Sequence, residues 1–127
     1  MPFIKSSVTI LASAARTATF NGVDQTALGH KGVVLSLDIT AASGTAPTLD
    51  VSLQIKDALG LLYVAMPSAS FAQKTGVSTD TLTIYPGVAA SANRQVSALM
   101  PITWRLVYTI GGTTPSFTFS VSGDYAE

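Results

Sequence analysis

The sequence predicts an all-β fold, a jelly-roll-like antiparallel β-sandwich with little or no helix, in a single domain over residues 1–127. Hydrophobic residues alternate with polar ones in five separate runs, as in strands with one buried face. Glycine or proline separates consecutive runs, at intervals typical of a sandwich or small barrel, about 8–12 residues. We therefore expect about seven to nine short strands around one core.

The alternating runs give the predicted strands in order. They lie at residues 33–40, 49–56, 81–85, 104–110 and 117–122. In each run every second side chain is large and apolar, so these positions face the same side of a strand. The predicted core consists of Val33, Leu35, Leu37, Ile39, Leu49, Val51, Leu53, Leu82, Ile84, Trp104, Leu106, Tyr108, Phe117, Phe119 and Val121.

The N-terminal segment superficially resembles a signal peptide, but two serines and a threonine interrupt its short apolar stretch. We expect an opening strand in which Val8 and Ile10 share one face, with residues 1–7 as an N-terminal arm. No apolar stretch in the sequence approaches the ~20 residues that a membrane-spanning helix needs.

Two segments repeat each other. Residues 43–55 and 111–123 align at a constant offset, so that Gly44 matches Gly112 and a proline follows three residues later in both. Each copy lies between two alternating runs, so we expect each to form a β-hairpin whose glycine supplies a positive φ angle. The alternative, that the shared motif is only a favourable loop sequence, remains open.

The segment from Val88 to Met100 is rich in alanine, and apolar residues four apart in it would allow a short helix. It follows Pro86 and Gly87, and its pattern is weak. We expect a loop with an embedded strand instead.

Composition narrows the functional classes. Hydrophobic residues make up 47% of the chain and charged residues 11%, with seven basic and seven acidic side chains. An average soluble protein is about 25% charged. The high hydrophobicity excludes a disordered chain, and the zero net charge argues against binding to nucleic acid. Without cysteine, the chain can form no disulfide, no thiolate zinc site and no cysteine nucleophile.

The sequence shows no catalytic or cofactor-binding motif. His30 is the only histidine, and glycines at positions 29 and 32 place it in a loop that we expect to be exposed. We therefore expect no enzymatic activity, no cofactor and no metal. Asp38, Asp50 and Asp57 could instead converge on Ca²⁺. Solvent-facing acids that keep strand edges soluble are the favoured interpretation of these three residues.

Five aromatic residues could form a sugar-binding platform: Trp104, Tyr63, Tyr85, Tyr108 and Tyr125. Trp104 and Tyr108 share a face with core residues. Tyr85 lies on the face opposite its buried neighbours, so it is the better candidate for an exposed contact.

Arg105 lies on the strand face opposite Trp104. If that face is covered, the guanidinium needs a carboxylate partner, since a buried unpaired charge is costly. Asp38 and Asp50 are the expected partners.

Two segments resemble the sequences of a known family. They are residues 102–127, which read ITWRLVYTIGGTTPSFTFSVSGDYAE, and residues 43–60, which read SGTAPTLDVSLQIKDALG. Over residues 32–122 the chain resembles small tailed-bacteriophage virion proteins of the head decoration (cement) or minor capsid type. The pattern departs from that family after Asp57 and over residues 86–101. The resemblance implies a jelly-roll-like sandwich that sits, commonly as a trimer, on the outer capsid, and it brings no catalytic residue.

The expected function is that of a structural virion protein, most specifically a capsid decoration protein on the outer surface of a phage head. Its expected partners are itself, as a homotrimer, and the major capsid protein, with no nucleic acid and no membrane. The protein would be made in the cytoplasm of the bacterial host and would reside in the virion. Outward strand positions poor in charge agree with a surface covered by assembly.

The residues expected to contact a partner are Pro2, Phe3, Ile4 and Tyr85. The alternative function is a carbohydrate- or receptor-binding β-sandwich module of a head fibre or tail. A small hydrolase is a third and weaker alternative.

Overall fold

The computed structural model describes residues 5–27, 29–57, 59–60 and 62–126, and these residues contain eight β-strands and no helix. The prediction of an all-β fold is confirmed, and the strand number falls within the expected range. The strands are β1 (Lys5–Arg16), β2 (Phe20–Asn21), β3 (Gln25–Thr26), β4 (Gly32–Lys56), β5 (Tyr63–Ser70), β6 (Ser78–Ile84), β7 (Gln95–Val96) and β8 (Thr103–Ala126). No helix long and apolar enough to cross a bilayer occurs in the described part of the chain.

Two long strands organise the fold. β4 has 25 residues and β8 has 24, and they pair antiparallel from one end to the other. The resulting ribbon bends in its middle, where the pairing shifts register and where Gly44 and Gly112 have φ angles of 110° and 113°. Each half of the ribbon therefore contributes to a different layer of the sandwich.

The prediction of two hairpins at residues 43–55 and 111–123 is wrong. Each copy of the repeat is a corner at which a single strand continues, and the two corners pair with each other through Thr45 and Thr113. A glycine with positive φ followed by proline suits a strand corner as well as a hairpin turn. The local motif therefore could not distinguish between them.

The two corners pack tightly and reciprocally. A Cβ atom at Gly44 would lie 2.7 Å from the Thr114 carbonyl oxygen and 2.9 Å from Cα of Pro115. A Cβ atom at Gly112 would lie 2.8 Å from the Ala46 carbonyl oxygen and 2.9 Å from a proline Cα in the other corner. The sequence repeat therefore reflects a local two-fold arrangement in which each glycine admits the backbone of the opposite corner.

The strand order is that of a jelly roll. In the first layer the order is β1, the second half of β8, the first half of β4, and β6, with the short β7 beside β6. In the second layer β2 and β3 lie beside the first half of β8, followed by the second half of β4 and then β5. The ribbon of β4 and β8 is folded over itself, and further strands pair with both of its edges. This arrangement produces the two Greek keys of the jelly roll.

All of the predicted core side chains are buried, with exposed fractions of 5% or less. Aromatic contacts join the layers through the two halves of β8. The Tyr108 and Phe119 rings meet edge-on at 5.3 Å, and Trp104 Nε1 donates a hydrogen bond of 3.2 Å to the Tyr125 hydroxyl. Burial raises the pKa of the Tyr125 hydroxyl, and the hydrogen bond from Trp104 opposes this.

Arg16, at the end of β1, lies beside the aromatic rings that join the two layers. Its guanidinium lies 4.7 Å from the centroid of the Phe119 ring and 5.8 Å from that of Tyr108. It also donates hydrogen bonds to the carbonyl oxygens of Phe119 and Ala12, at 2.6 and 2.7 Å. Cation–π contacts and hydrogen bonds to the backbone therefore both stabilise this edge of the core.

Residues 88–100 form turns and a loop that contains the two-residue strand β7. β7 pairs in parallel with the end of β6, through Gln95 with Thr83 and Val96 with Ile84. The prediction of a loop with an embedded strand is confirmed. Val96 and Met100 of this segment are buried, so the loop closes one side of the core.

Candidate docking surface

The loops at the end of the sandwich opposite the two corners form what we call the open end. It comprises the loop between β3 and β4, the loop between β4 and β5, and the segment 97–102 before β8. Backbone hydrogen bonds of 2.9 Å connect these elements, from Lys31 N–H to the Ala126 carbonyl and from Met100 N–H to the Lys31 carbonyl. In the second layer, the pairing of Ile55 with Val64 and with Trp104 marks the same end.

Large apolar side chains are exposed at the open end. Five of them, which we call the apolar rim, have exposed fractions between 54% and 80%: Leu59, Leu62, Val64, Leu99 and Ile102. An isolated exposed apolar residue is ordinary, but a concentration of them on one part of a protein is typical of an interaction site. The apolar rim is therefore the candidate docking surface.

A cleft of about 460 Å³ lies beside the rim, between β5 and residues 95–99. Ile55, Met66, Pro67 and Leu99 contribute its apolar walls, and no charged residue lines it. Its shape and chemistry suit an apolar side chain offered by a partner.

Of the residues predicted to contact a partner, Tyr85 lies at this end of the molecule. Tyr85 follows β6, is half-buried rather than exposed, and lies so close to Gly32 that a Cβ atom there would be 2.5 Å from Tyr85 Cδ1. Pro2, Phe3 and Ile4 lie outside the described residues. β1 begins at Lys5, which pairs with Ala126, so residues 5–7 of the predicted arm belong to the sheet.

A polar network covers the outer face of the second layer next to the rim. The Asp24 carboxylate accepts hydrogen bonds from Lys56 Nζ at 2.8 Å and from the Tyr63 hydroxyl at 2.6 Å. These bonds lower the pKa of Asp24, and the bond to Asp24 raises the pKa of Lys56. Arg105 Nε donates to Gln54 Oε1 at 2.7 Å, and its guanidinium stacks 3.5 Å from the Tyr63 ring centroid.

The prediction that Asp38 or Asp50 pairs with Arg105 is wrong. Asp50 accepts hydrogen bonds from Gln73 Nε2, and Asp38 is exposed on the first layer, since β4 changes layer between these two residues. The same bend separates the acids that could have held Ca²⁺. Asp57 accepts a hydrogen bond from Leu62 N–H, and the described residues contain no group of three possible metal ligands.

The five aromatic residues do not lie together on one exposed face. Trp104, Tyr108 and Tyr125 are buried, and the Arg105 guanidinium covers the Tyr63 ring. His30, which was expected to be exposed, is half-buried, and its ring stacks on that of Tyr125 at 5.1 Å.

The Lys74–Asp80 ion pair, 2.6 Å long, gives an expected pH dependence of stability. Burial alone would raise the pKa of Asp80, but hydrogen bonds from Lys74 and Thr81 N–H outweigh it and lower the pKa from its ordinary value. A depressed carboxyl pKa stabilises the fold above the unfolded-state value, and this stabilisation is lost as pH falls through the folded-state value. We therefore expect the free energy of unfolding to fall below about pH 4, and to fall less steeply in Asp80→Asn, as measured by urea unfolding at several pH values. If the free energy of unfolding falls equally steeply with decreasing pH in wild type and in Asp80→Asn, this assignment is wrong.

Comparisons with known proteins identify the fold and no family. No protein-family model matches the chain, and no curated protein shows significant sequence similarity to it. Among solved structures, the SPBc2 prophage-derived protein YomS is similar with a TM-score of 0.51 and 14% identity, over 100% of this chain and 96% of that one.

A chain in the structure of infectious bursal disease virus, Gx strain, is similar with a TM-score of 0.58 and 11% identity. The match covers 99% of this chain and 33% of that one, so this chain spans about a third of the viral chain. At these identities the similarity shows a shared jelly-roll-like β-sandwich, which occurs both in a prophage-derived protein and in a virus structure.

Proposed function

We propose that this protein is a structural component of a phage virion, specifically a decoration protein that attaches to the outer surface of the head. The observation that carries the proposal is the concentration of exposed apolar side chains at the open end of the sandwich. Such a surface is unfavourable in water and becomes favourable when a partner covers it.

Three further observations support a structural role. The sequence resembles phage head decoration and minor capsid proteins, and the fold is also found in a prophage-derived protein and in a virus structure. The outer face of the first layer carries mainly hydroxyl side chains. One row across this sheet consists of Thr9, Ser122, Ser36 and Thr81. A surface with so little charge suits a protein that works within an assembly.

In this proposal the apolar rim faces the shell, and β1 begins at Lys5 at the same end of the molecule. The proposal includes a homotrimer built from one heterologous interface repeated three times. Each such interface should bury more than about 1,000 Å² if the trimer persists in solution. Several weak shell contacts acting together would then hold each trimer firmly.

The test measures how strongly the purified protein binds to phage heads that lack it. Replacing Leu99 and Ile102 with serine should weaken attachment at least tenfold, because each buried apolar side chain contributes about 1.5–3 kcal/mol and each 1.4 kcal/mol is tenfold. Val77→Ser is the matched control, since Val77 is as exposed as these two residues (66% against 64%) but precedes β6 at the opposite end.

Sedimentation of the free protein at tens of micromolar should give the mass of a trimer, and a monomer would contradict that part of the proposal. If wild-type protein does not rebind to the heads, the decoration role is wrong. Binding to host cells or glycans would then favour the receptor-binding alternative.

A further inference from the structure

We propose that Arg105, together with the adjoining apolar rim, forms a binding site for an acidic residue flanked by apolar residues in a segment of a partner protein. The proposal rests on the proposed function only for where that partner is found, namely on the phage head.

The Arg105 guanidinium is held in one orientation before any partner arrives. Nε donates to Gln54 at 2.7 Å, and the planar group lies 3.5 Å from the Tyr63 ring centroid. Tyr63 is itself fixed, because its hydroxyl donates to Asp24 at 2.6 Å. A side chain that is already ordered loses little conformational entropy on binding, and a planar guanidinium matches a carboxylate with two parallel hydrogen bonds.

Arg105 forms no ion pair with a described residue, although the nearby Asp24 carboxylate interacts electrostatically with its charge. Because Lys56 and Arg105 share this one carboxylate, the cluster keeps one uncompensated positive charge. Lys56 and Asp24 form an ion pair of 2.8 Å, and the second described ion pair joins Lys74 and Asp80. Arg105 donates a hydrogen bond to a described residue only from Nε, so its two terminal nitrogens make no hydrogen bond within the described part of the chain. If a partner covers this face, desolvation of the guanidinium is costly unless the partner supplies an acceptor, and a carboxylate is the strongest one that a protein offers.

The site is continuous with the apolar rim. Tyr63, on which Arg105 stacks, lies at the start of the edge strand β5, between Leu62 and Val64 of the rim. Because side chains alternate along a strand, Leu62 and Val64 face the side opposite Tyr63. A segment that wraps around this edge of the sheet can therefore contact both the rim and the guanidinium. The Asp24 carboxylate beside Tyr63 repels any anion at this position, and it repels a doubly charged phosphate about twice as strongly as a singly charged carboxylate, because the Coulomb energy scales with charge. The chemistry favours a carboxylate attached to an apolar group.

The first experiment uses small probes and the full chain. Nuclear magnetic resonance would follow Arg105 Nε–H and the rim methyl groups during titration with hexanoate, acetate, hexylammonium and inorganic phosphate. We expect hexanoate to bind at least severalfold more tightly than either acetate or hexylammonium and to shift both Arg105 and the rim. Equal binding of hexanoate and hexylammonium would overturn the proposal, as would a stronger response of Arg105 to phosphate than to hexanoate.

Substitutions of Arg105 test whether the guanidinium causes the preference for hexanoate. Arg105→Gln should abolish the preference for hexanoate over hexylammonium, and Arg105→Lys should restore it only in part, because lysine keeps the charge but loses the planar pair of donors. Arg94→Gln, at an exposed arginine in the turn before β7, is the matched control and should behave as wild type. An unchanged preference in Arg105→Gln would overturn the assignment.

The second experiment uses heads that lack the protein and separates this inference from the proposed function. Arg105→Gln should attach at least tenfold more weakly than wild type, and Arg94→Gln should attach normally. If wild type and Arg105→Gln attach equally well, the inference is wrong and the decoration role stands. If wild type does not attach but the hexanoate preference holds, the decoration role is wrong and the carboxylate site stands.

Discussion

Replacing Phe119 with alanine is expected to lower the free energy of unfolding by about 3–5 kcal/mol. Phe119 is fully buried, packs edge-on against Tyr108 across the two layers and carries the Arg16 guanidinium over its ring. Truncation removes the buried ring, leaves a cavity between the layers and removes the cation–π contact. Urea unfolding followed by the fluorescence of Trp104 measures the loss.

The expected effect is large against the 5–15 kcal/mol stability of a typical domain. The control is Ser122→Ala, on the same strand with an exposed side chain, which should change stability by no more than about 0.5 kcal/mol. Both variants should be compared with wild type at one protein concentration, because any oligomer couples stability to concentration. A loss in Phe119→Ala no greater than that in the control would contradict the assigned core.

Replacing Gly112 with alanine should cost about 3 kcal/mol or more, because two penalties add at this position. Its φ of 113° is strained for any residue with a Cβ atom. The added Cβ would also lie 2.8 Å from the Ala46 carbonyl oxygen and 2.9 Å from Cα of Pro47. Both atoms belong to the backbone of the opposite corner, so no side-chain rotation relieves the contact.

Two further glycines separate these penalties. Gly87 has a φ of 90° but no atom near its potential Cβ, so Gly87→Ala should cost only the backbone strain, about 1–3 kcal/mol. Gly76 has neither feature, and Gly76→Ala should be neutral or stabilising by about 0.4–1 kcal/mol. Urea unfolding of the three variants gives the ranking. If Gly112→Ala and Gly87→Ala lower the free energy of unfolding equally, tight packing of the two corners contributes nothing to stability.

The core could be predicted from the sequence because the alternation of side chains along a strand is a local property. Leu35, Leu53 and Phe119 occupy every second position of their runs, and the backbone places such positions on one face whatever the strand pairs with. Met66 and Phe71 are also buried but were not predicted. They lie in and after β5, whose Pro67 and Ser68, with a φ of 62°, interrupt the alternation.

The candidate docking surface could be predicted only in part. Tyr85, which the sequence predicts to contact a partner, lies at the same end of the molecule as the rim. No local pattern marks Leu62, Val64, Leu99 and Ile102 as a group. They come from two loops and from the start of β5, and the pairing of β4 with β5 and β8 brings these segments, which are distant in sequence, to one end. Whether an apolar side chain is exposed depends on which other parts of the chain cover it, and this is a property of the whole fold.

The sequence alone was sufficient for the fold class, most of the core and the lack of charge, since each follows from composition or from a period of two residues. The tertiary structure decided how the repeated Gly44 and Gly112 motifs are used, because a hairpin and a corner have the same local signal and differ only in which strand pairs with which. It also decided the partner of Arg105. Gln54 and Tyr63 reach the guanidinium because β8, β4 and β5 lie side by side, and strand order is set by long-range pairing that no short window of sequence contains.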